Sequence, residues 1–508
     1  MRKLLSFCIL VLTLGGCVSN NSEITVLLKP LKDKATLEPS LVRFSLEYYY
    51  LDNMTIRLVE LEANGTYANS LAERIIFSNN KKDLTIKIKE AYFSNGDRVT
   101  SSDVVNSFKR VILKGSPHSN PKGFIRGAKQ LSNLSDEIEG LKVISPDTLS
   151  IGLTGQMKEL YYYLQLADYG ILHSTQYTKD KLTTNDWLSV TSGPYKLDLS
   201  NNDTVLIANL KTLKASEQMP QKVKMKHIED DSKIIEAMKN ERVHFGLLSF
   251  KTYSQNIDTF KSVNSIDYYG SKTGGIIYLS LNPKSKKFKS ESTRQWLNKK
   301  VQELYKLTQK QKEYMQKANQ YFLPEAKGHI SQENINTILK EVKTDYIPQE
   351  LKDGITIKTV EGMKNYIPSD LKENLSKILG IPVSFDFSVT HESMITEMGE
   401  RNFDAFIMAS SMSYKVIGET LNLVYTSKSP MFIDPTGKIH KLLENYQATD
   451  NTTEETEIIT QILRQMTTDS ECVPIAYFAG PKFYNKNVLD ASNMLFEESF
   501  QFWRLRVN

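Results

Sequence analysis

Twice along this chain a helix with one apolar face runs through a short polar turn into a brief apolar strand. The first unit spans 232–248, with Ile234, Ile235 and Met238 on one helical face ahead of Val243-His244-Phe245-Gly246-Leu247-Leu248. The second spans 392–408, where a helix over Glu392–Glu400 leads into Asn402-Phe403-Asp404-Ala405-Phe406-Ile407-Met408. A hydrophobic period that switches from 3.6 to strand spacing in this way predicts α/β lobes with helices packed on a sheet. Other segments extend the pattern. Ile24–Leu28 reads as a first strand and Leu84–Lys89 as a half-buried one. Thr100 and Asp103 cap a helix carrying Val104, Val105 and Phe108. Residues 276–282 form a buried-looking strand, followed by a lysine-rich loop over 284–289 and a helix from about 292 to 307. At 508 residues the chain has room for about three domains.

The first residues read as an address rather than a fold. Met1-Arg2-Lys3 is a basic head, and the apolar run Leu4–Leu14 has signal-peptide length and is too short to span a bilayer. It ends in Leu14-Gly15-Gly16-Cys17, which resembles a bacterial lipobox. In that reading residues 1–16 are removed, Cys17 is lipidated and 17–22 form a polar tether; the alternative is an ordinary cleavage site with a chance cysteine. No later stretch reaches the length of a membrane span, so any membrane contact is expected through the lipid alone.

Several chemistries find no support. The net charge is only +5 and the basic residues are dispersed, which gives no case for nucleic acid. There is no P-loop, no nucleophile elbow and no zinc-binding His-Glu-x-x-His, and the seven histidines are scattered. Cys472 enters an apolar strand and reads as an inert buried thiol. No catalytic residue, metal or cofactor is therefore expected.

Thr36-Leu37-Glu38-Pro39, Ser70-Leu71-Ala72-Glu73, the stretch from Ala91 to Arg110, Ser192-Gly193-Pro194-Tyr195 and Arg294-Gln295-Trp296-Leu297 then follow one another in a familiar order. As an ordered set they resemble the family 5 extracellular solute-binding proteins, the oligopeptide- and dipeptide-binding components of ABC importers. The 91–110 stretch is the most specific match. The resemblance implies a two-lobed, hinged α/β fold of the periplasmic-binding-protein (Venus-flytrap, class II) type with an inserted domain on the first lobe. Lobe I would comprise 23–57, 184–271 and 487–508, the inserted domain 58–183 and the other lobe 272–486. It further implies a monomeric extracytoplasmic receptor that closes on a peptide or other small solute and hands it to ABC permease subunits driven by a separate ATPase.

The chain departs from the family at the site. Peptide binders carry an aspartate shortly after the strand at 402–408, which pairs with the ligand's α-ammonium; here Ser410 stands in place of an aromatic residue and Ser413 in place of that aspartate. A serine accepts a hydrogen bond from an ammonium but cannot neutralise it, and losing a charged partner in a buried site costs a few kcal/mol. The candidate ligand contacts are Thr36 and Glu38 in the first loop, Tyr278 on the 276–282 strand, and Ser410, Ser411, Met412, Ser413 and Tyr414 at the strand exit. The alternative reading is a lipoprotein of this fold that takes a non-peptide ligand, or that serves as a sensor or interaction protein rather than in transport.

Overall fold

The computed structural model describes residues 22–28, 37–42, 45–62, 66–116, 119–158, 160–174, 190–198, 204–240, 243–248, 250–269, 275–411, 417–426, 431–449, 451–478, 482–486, 489–490 and 501–507. Cys17 and its tether lie outside them.

Three sheets of four or more strands organise the chain. The first has seven strands in the order Ile266–Tyr269, Lys482–Asn485, Phe245–Leu247, Glu23–Leu28, Lys222–His227, Thr204–Ala208 and Tyr195–Asp198. Glu23–Leu28 runs parallel to both Lys222–His227 and Phe245–Leu247, and the helix Asp231–Lys239 is the crossover between these two. This is the unit read at 232–248, one residue earlier at its helix start. Asp230 caps the helix by accepting from the Ser232 N–H at 2.9 Å, and Ile234 and Met238 bury its apolar face.

The second sheet has six strands in the order Met315–Lys317, Cys472–Phe478, Gly275–Leu281, Ala405–Ser411, Ile355–Val360 and Val383–Val389. Gly275–Leu281 is buried along its whole length, as is Cys472–Phe478. The helix His391–Glu400 leads from Val383–Val389 to Ala405–Ser411, the second unit read in the sequence. The third sheet is an antiparallel four-stranded one, Ala72–Phe77, Asp83–Ile88, Thr148–Gly152 and Leu141–Ser145, with the helix Ser101–Lys114 against it.

The chain passes between the two larger sheets twice, at 270–274 and at 479–481. The strands on either side of these passages are paired with each other: Tyr269 with Lys482 in the first sheet and Gly275 with Phe478 in the second. One expected boundary moves. The strand Lys482–Asn485 pairs with Phe245–Leu247 and Ile266–Tyr269, so the return falls before 482 rather than at 486/487. Strand pairing, invisible in local composition, decides this.

The segments that marked the chain in sequence form its joints. Thr100 N–H and hydroxyl both donate to Asp103 Oδ2, at 2.8 and 2.7 Å, and start the helix Ser101–Lys114. Near the end of that helix Arg110 Nη1 lies 2.8 Å from Glu38 Oε1, with both side chains almost wholly buried. The first loop and the four-stranded domain are thus tied through Glu38, which faces Arg110 and, at 3.9 Å, Lys114 Nζ. Arg294 is a second buried cation; it donates to the carbonyls of Asp469 at 2.7 Å and Phe288 at 2.8 Å. Ser192 works at a third joint. Its hydroxyl accepts from the Ile56 N–H at 3.0 Å and donates to the Ile171 carbonyl at 2.6 Å, linking the two strands of chain that lead into and out of the inserted domain.

Gly193 sits beside that joint. Its N–H donates to the Met54 carbonyl at 2.9 Å, and a Cβ there would lie 2.5 Å from the Met54 carbonyl carbon and 2.6 Å from the Thr55 nitrogen. The obstruction is backbone, which a rotamer change cannot relieve. Gly193→Ala is expected to cost about 1–3 kcal/mol, read as a lower urea midpoint at unchanged m-value.

Candidate functional site

Strand register decides where the serine segment lies. Ala405–Ser411 pairs antiparallel with Gly275–Leu281, with Ser411 opposite Gly275 and Ser410 opposite Ile276. Gly275 is also where the chain arrives from the first sheet. The strand exit bearing the serines therefore lies at the end of the sheet nearest the passages between lobes. Met412, Ser413 and Tyr414 fall outside the described residues, as does Thr36; of Ser411 the backbone alone is described.

Tyr278 sits two residues further along. Its ring is fully buried and packs edge-on to Tyr321, with ring centres 5.1 Å apart, and at a tilt to Phe432 at 6.1 Å. Its hydroxyl lies 3.4 Å from the Ser410 hydroxyl, 3.6 Å from the Met408 sulfur and 3.8 Å from that of Met431. Burial pushes its phenol well above the usual range, so Tyr278 is a neutral hydroxyl at every physiological pH. The side chain expected at the site is a core residue whose polar edge meets Ser410. Tyr321, Met431 and Phe432 were not legible as its neighbours, because the loops and helices that bring them there are remote in sequence.

Glu38 is placed differently from the sequence expectation. Its Oε1 accepts from Ser40, at 3.2 Å from the backbone N–H and 2.7 Å from the hydroxyl, in addition to facing Arg110. A buried carboxylate satisfied in this way holds the loop in place rather than presenting a charge to a ligand.

The strongly perturbed acids of the six-stranded lobe lie at its other end. Burial raises Glu471 to about 7 and Asp469 to about 6, with Arg294 pulling both downwards. Glu471 precedes the strand end that pairs with Ser280. Ser280 is five residues from Gly275, roughly 17 Å along a strand. Glu471 is therefore no substitute for the missing aspartate. Arg401 also lowers it, and its carboxylate accepts from the Ile433 N–H at 2.9 Å, a structural use.

The inserted domain and the six-stranded lobe touch through charge. Lys158, which follows the strand Thr148–Gly152, donates to Glu455 in the first turn of the helix Thr452–Asp469. The same carboxylate accepts from Lys327 at 2.9 Å. Tyr48, Asp52, Arg57 and Asp168 meet where the first lobe joins the inserted domain, with Arg57 Nη1 2.5 Å from Asp52 Oδ1.

Comparison with known proteins now bears on this geometry. Residues 66–299 match the family described as bacterial extracellular solute-binding proteins, family 5 middle. Over that stretch the chain is similar to the family's members. The family is one of substrate-binding proteins rather than enzymes. A search of curated proteins finds no match.

Solved structures share the whole architecture. The periplasmic binding protein DppA of Helicobacter pylori, in complex with the peptide STSA, superposes with a TM-score of 0.72 at 15% identity, covering 96% of this chain and 98% of its own. OppA of Haemophilus influenzae, in complex with RPPGFSPFR, gives 0.71 at 15%, covering 96% and 99%. NikZ of Campylobacter jejuni, in complex with Ni(L-His), gives 0.71 at 15%, covering 96% and 99%. At these identities the likeness is one of fold. The chain thus shares the two-lobed fold of these binding proteins, and solved structures of that fold hold chemically different ligands.

Tyr278 separates packing from recognition. Tyr278→Ala is expected to lose about 3–5 kcal/mol of stability through the cavity it opens. Tyr278→Phe is expected to stay within about 1 kcal/mol of the parent, since only a weakly bonded hydroxyl is removed. Chemical denaturation of both variants checks this.

Proposed function

We propose that this protein is the substrate-binding component of an ABC importer, anchored on an extracytoplasmic membrane face through Cys17, and that it takes peptides in the cleft between its lobes. The observation that carries the reading furthest is the register of Ala405–Ser411. It pairs Ser410 with Ile276 at the end of the sheet that the chain enters from the first lobe, which supports a ligand site there when the lobes close. The match of residues 66–299 to the family supports extracellular solute binding, and the peptides held by DppA and OppA support the ligand class.

The recognition chemistry is neutral at the serine end. Hydroxyls at Ser410 and Ser413, with Tyr278 behind Ser410, offer hydrogen bonds without a counter-charge for an α-ammonium. Affinity then rests on backbone hydrogen bonds, side-chain pockets and the differential stability of the closed state. Closure needs no catalytic base. Delivery to permease subunits, with a separate ATPase supplying energy, follows from the same reading, as does a monomeric receptor.

A second reading has its own support. NikZ shows the same architecture around Ni(L-His), so the missing aspartate also suits a protein for a non-peptide solute or a sensor. Thermal unfolding of the processed protein against a pooled peptide library, with nickel–histidine and sugars as parallel arms, separates the two. A ligand at one hundred times its Kd adds about 2.7 kcal/mol. A raised midpoint with peptides alone supports peptide import. A rise confined to another arm reassigns the solute.

A further inference from the structure

Lys158 and Glu455 stand 297 positions apart in sequence, on the inserted domain and on the six-stranded lobe. The pair is partly withdrawn from water, with side chains 15% and 21% exposed. The Lys158 ammonium also lies 4.8 Å from the centre of the Tyr446 ring, a cation–π contact on the same lobe as Glu455. Tyr446 belongs to the helix Lys438–Ala448, and its hydroxyl end rests on Gly418, where a Cβ would come within 2.2 Å of the Tyr446 oxygen. Gly418 is in the first turn of the helix Ile417–Thr426, a few residues beyond the serine segment. One lysine from the inserted domain thus touches two elements of the far lobe, one of them packed on the helix that follows the candidate site.

We propose that Lys158 is a positioning residue for closure: it clasps the inserted domain to Glu455 and Tyr446 when the lobes are shut. It sets ligand affinity without touching the ligand, and this inference rests on the reading of the protein as a closing receptor. The charge arithmetic supports a clasp that releases. Glu455 keeps Lys327 as a partner within its own lobe, so opening leaves the carboxylate neutralised. Only Lys158 gives up its contacts and returns to water. Burial works against the Glu455 charge, yet hydrogen bonds from Lys158 and Lys327 hold its carboxyl below the usual range. A pair that solvent still reaches in part, and that can exchange its partners, biases an equilibrium instead of locking it.

The test is a distance measurement between lobes by pulsed electron resonance. The processed chain carries Cys17→Ser with spin labels at Lys142→Cys in the inserted domain and Lys441→Cys in the far lobe, both exposed positions. Cys472 is buried and stays unlabelled. In the absence of ligand, Lys158→Glu should lower the ratio of short to long distances roughly five- to tenfold. Lys158→Arg should keep the parental distribution. Lys327→Gln, which removes the partner within the lobe and leaves the clasp, should keep it too. Raising salt to about 1 M should move the parent in the direction of Lys158→Glu, because the pair is reached by solvent. This salt arm needs no variant to fold.

If Lys158→Glu and high salt both leave the distances unchanged, the clasp is overturned. If Lys158→Glu and Lys327→Gln open the protein equally, the effect is general charge loss at Glu455 and the assignment to Lys158 is also overturned. The distances require no ligand, so a protein that ignores peptides still reports on the clasp. Adding the pooled peptides then tests the receptor reading separately: a peptide binder should lose affinity in Lys158→Glu by the same factor as its closed population.

Discussion

The strand pairs that flank the two links between the larger sheets govern the rest of this molecule. Tyr269 and Lys482 are paired on one side, Gly275 and Phe478 on the other. The first sheet is completed only when the chain returns, since Lys482–Asn485 pairs with both Phe245–Leu247 and Ile266–Tyr269. The central strands Gly275–Leu281 and Cys472–Phe478 of the far lobe are fixed directly by this arrangement, and both are buried throughout. Register then propagates. Once Gly275 is placed, Ser411 is placed opposite it, at the end of the sheet where the chain arrives from the first sheet. A slip of one residue would turn the alternate faces of that strand over.

The segments that resemble the family in sequence hold joints of the fold. Arg110 ends the most specific stretch and meets Glu38 of the first loop in a buried pair. Ser192 and Gly193 fasten the entry and exit of the inserted domain. Arg294 collects carbonyls at the end of the helix Thr452–Asp469. Each is a place where a buried polar group must be satisfied or a backbone must come close, and such places tolerate few residue types. Solved structures of one architecture hold STSA, RPPGFSPFR and Ni(L-His), so the fold by itself does not fix the ligand.

Local pattern made much of the fold legible. The units at 232–248 and 392–408 exist as read, since a 3.6-residue period followed by a short apolar run carries its own signature. What escaped was set by pairing at long range. Lys482–Asn485 looked like part of the far lobe because nothing in its four residues announces that it adds to the first sheet. Glu38 looked available because Arg110 and Ser40 satisfy it only after the loop docks. Tyr278 was legible as a strand residue near the site, but its burial among Tyr321, Met431 and Phe432 depends on segments that come together only in the folded lobe. The contact of Lys158 with Glu455 left no trace in sequence, for charged pairs across a cleft need only opposite signs and reach.

The central claim is that this receptor recognises its ligand without a charged anchor for an α-ammonium. Titration calorimetry of one bound peptide, in free and N-acetylated forms, tests it most directly. Dissociation constants within about fivefold of each other are expected, since a neutral hydroxyl loses little when the ammonium becomes an amide. A loss of on the order of 10²-fold or more on acetylation would contradict it, and would mean that a carboxylate elsewhere in the cleft does the work of the missing aspartate.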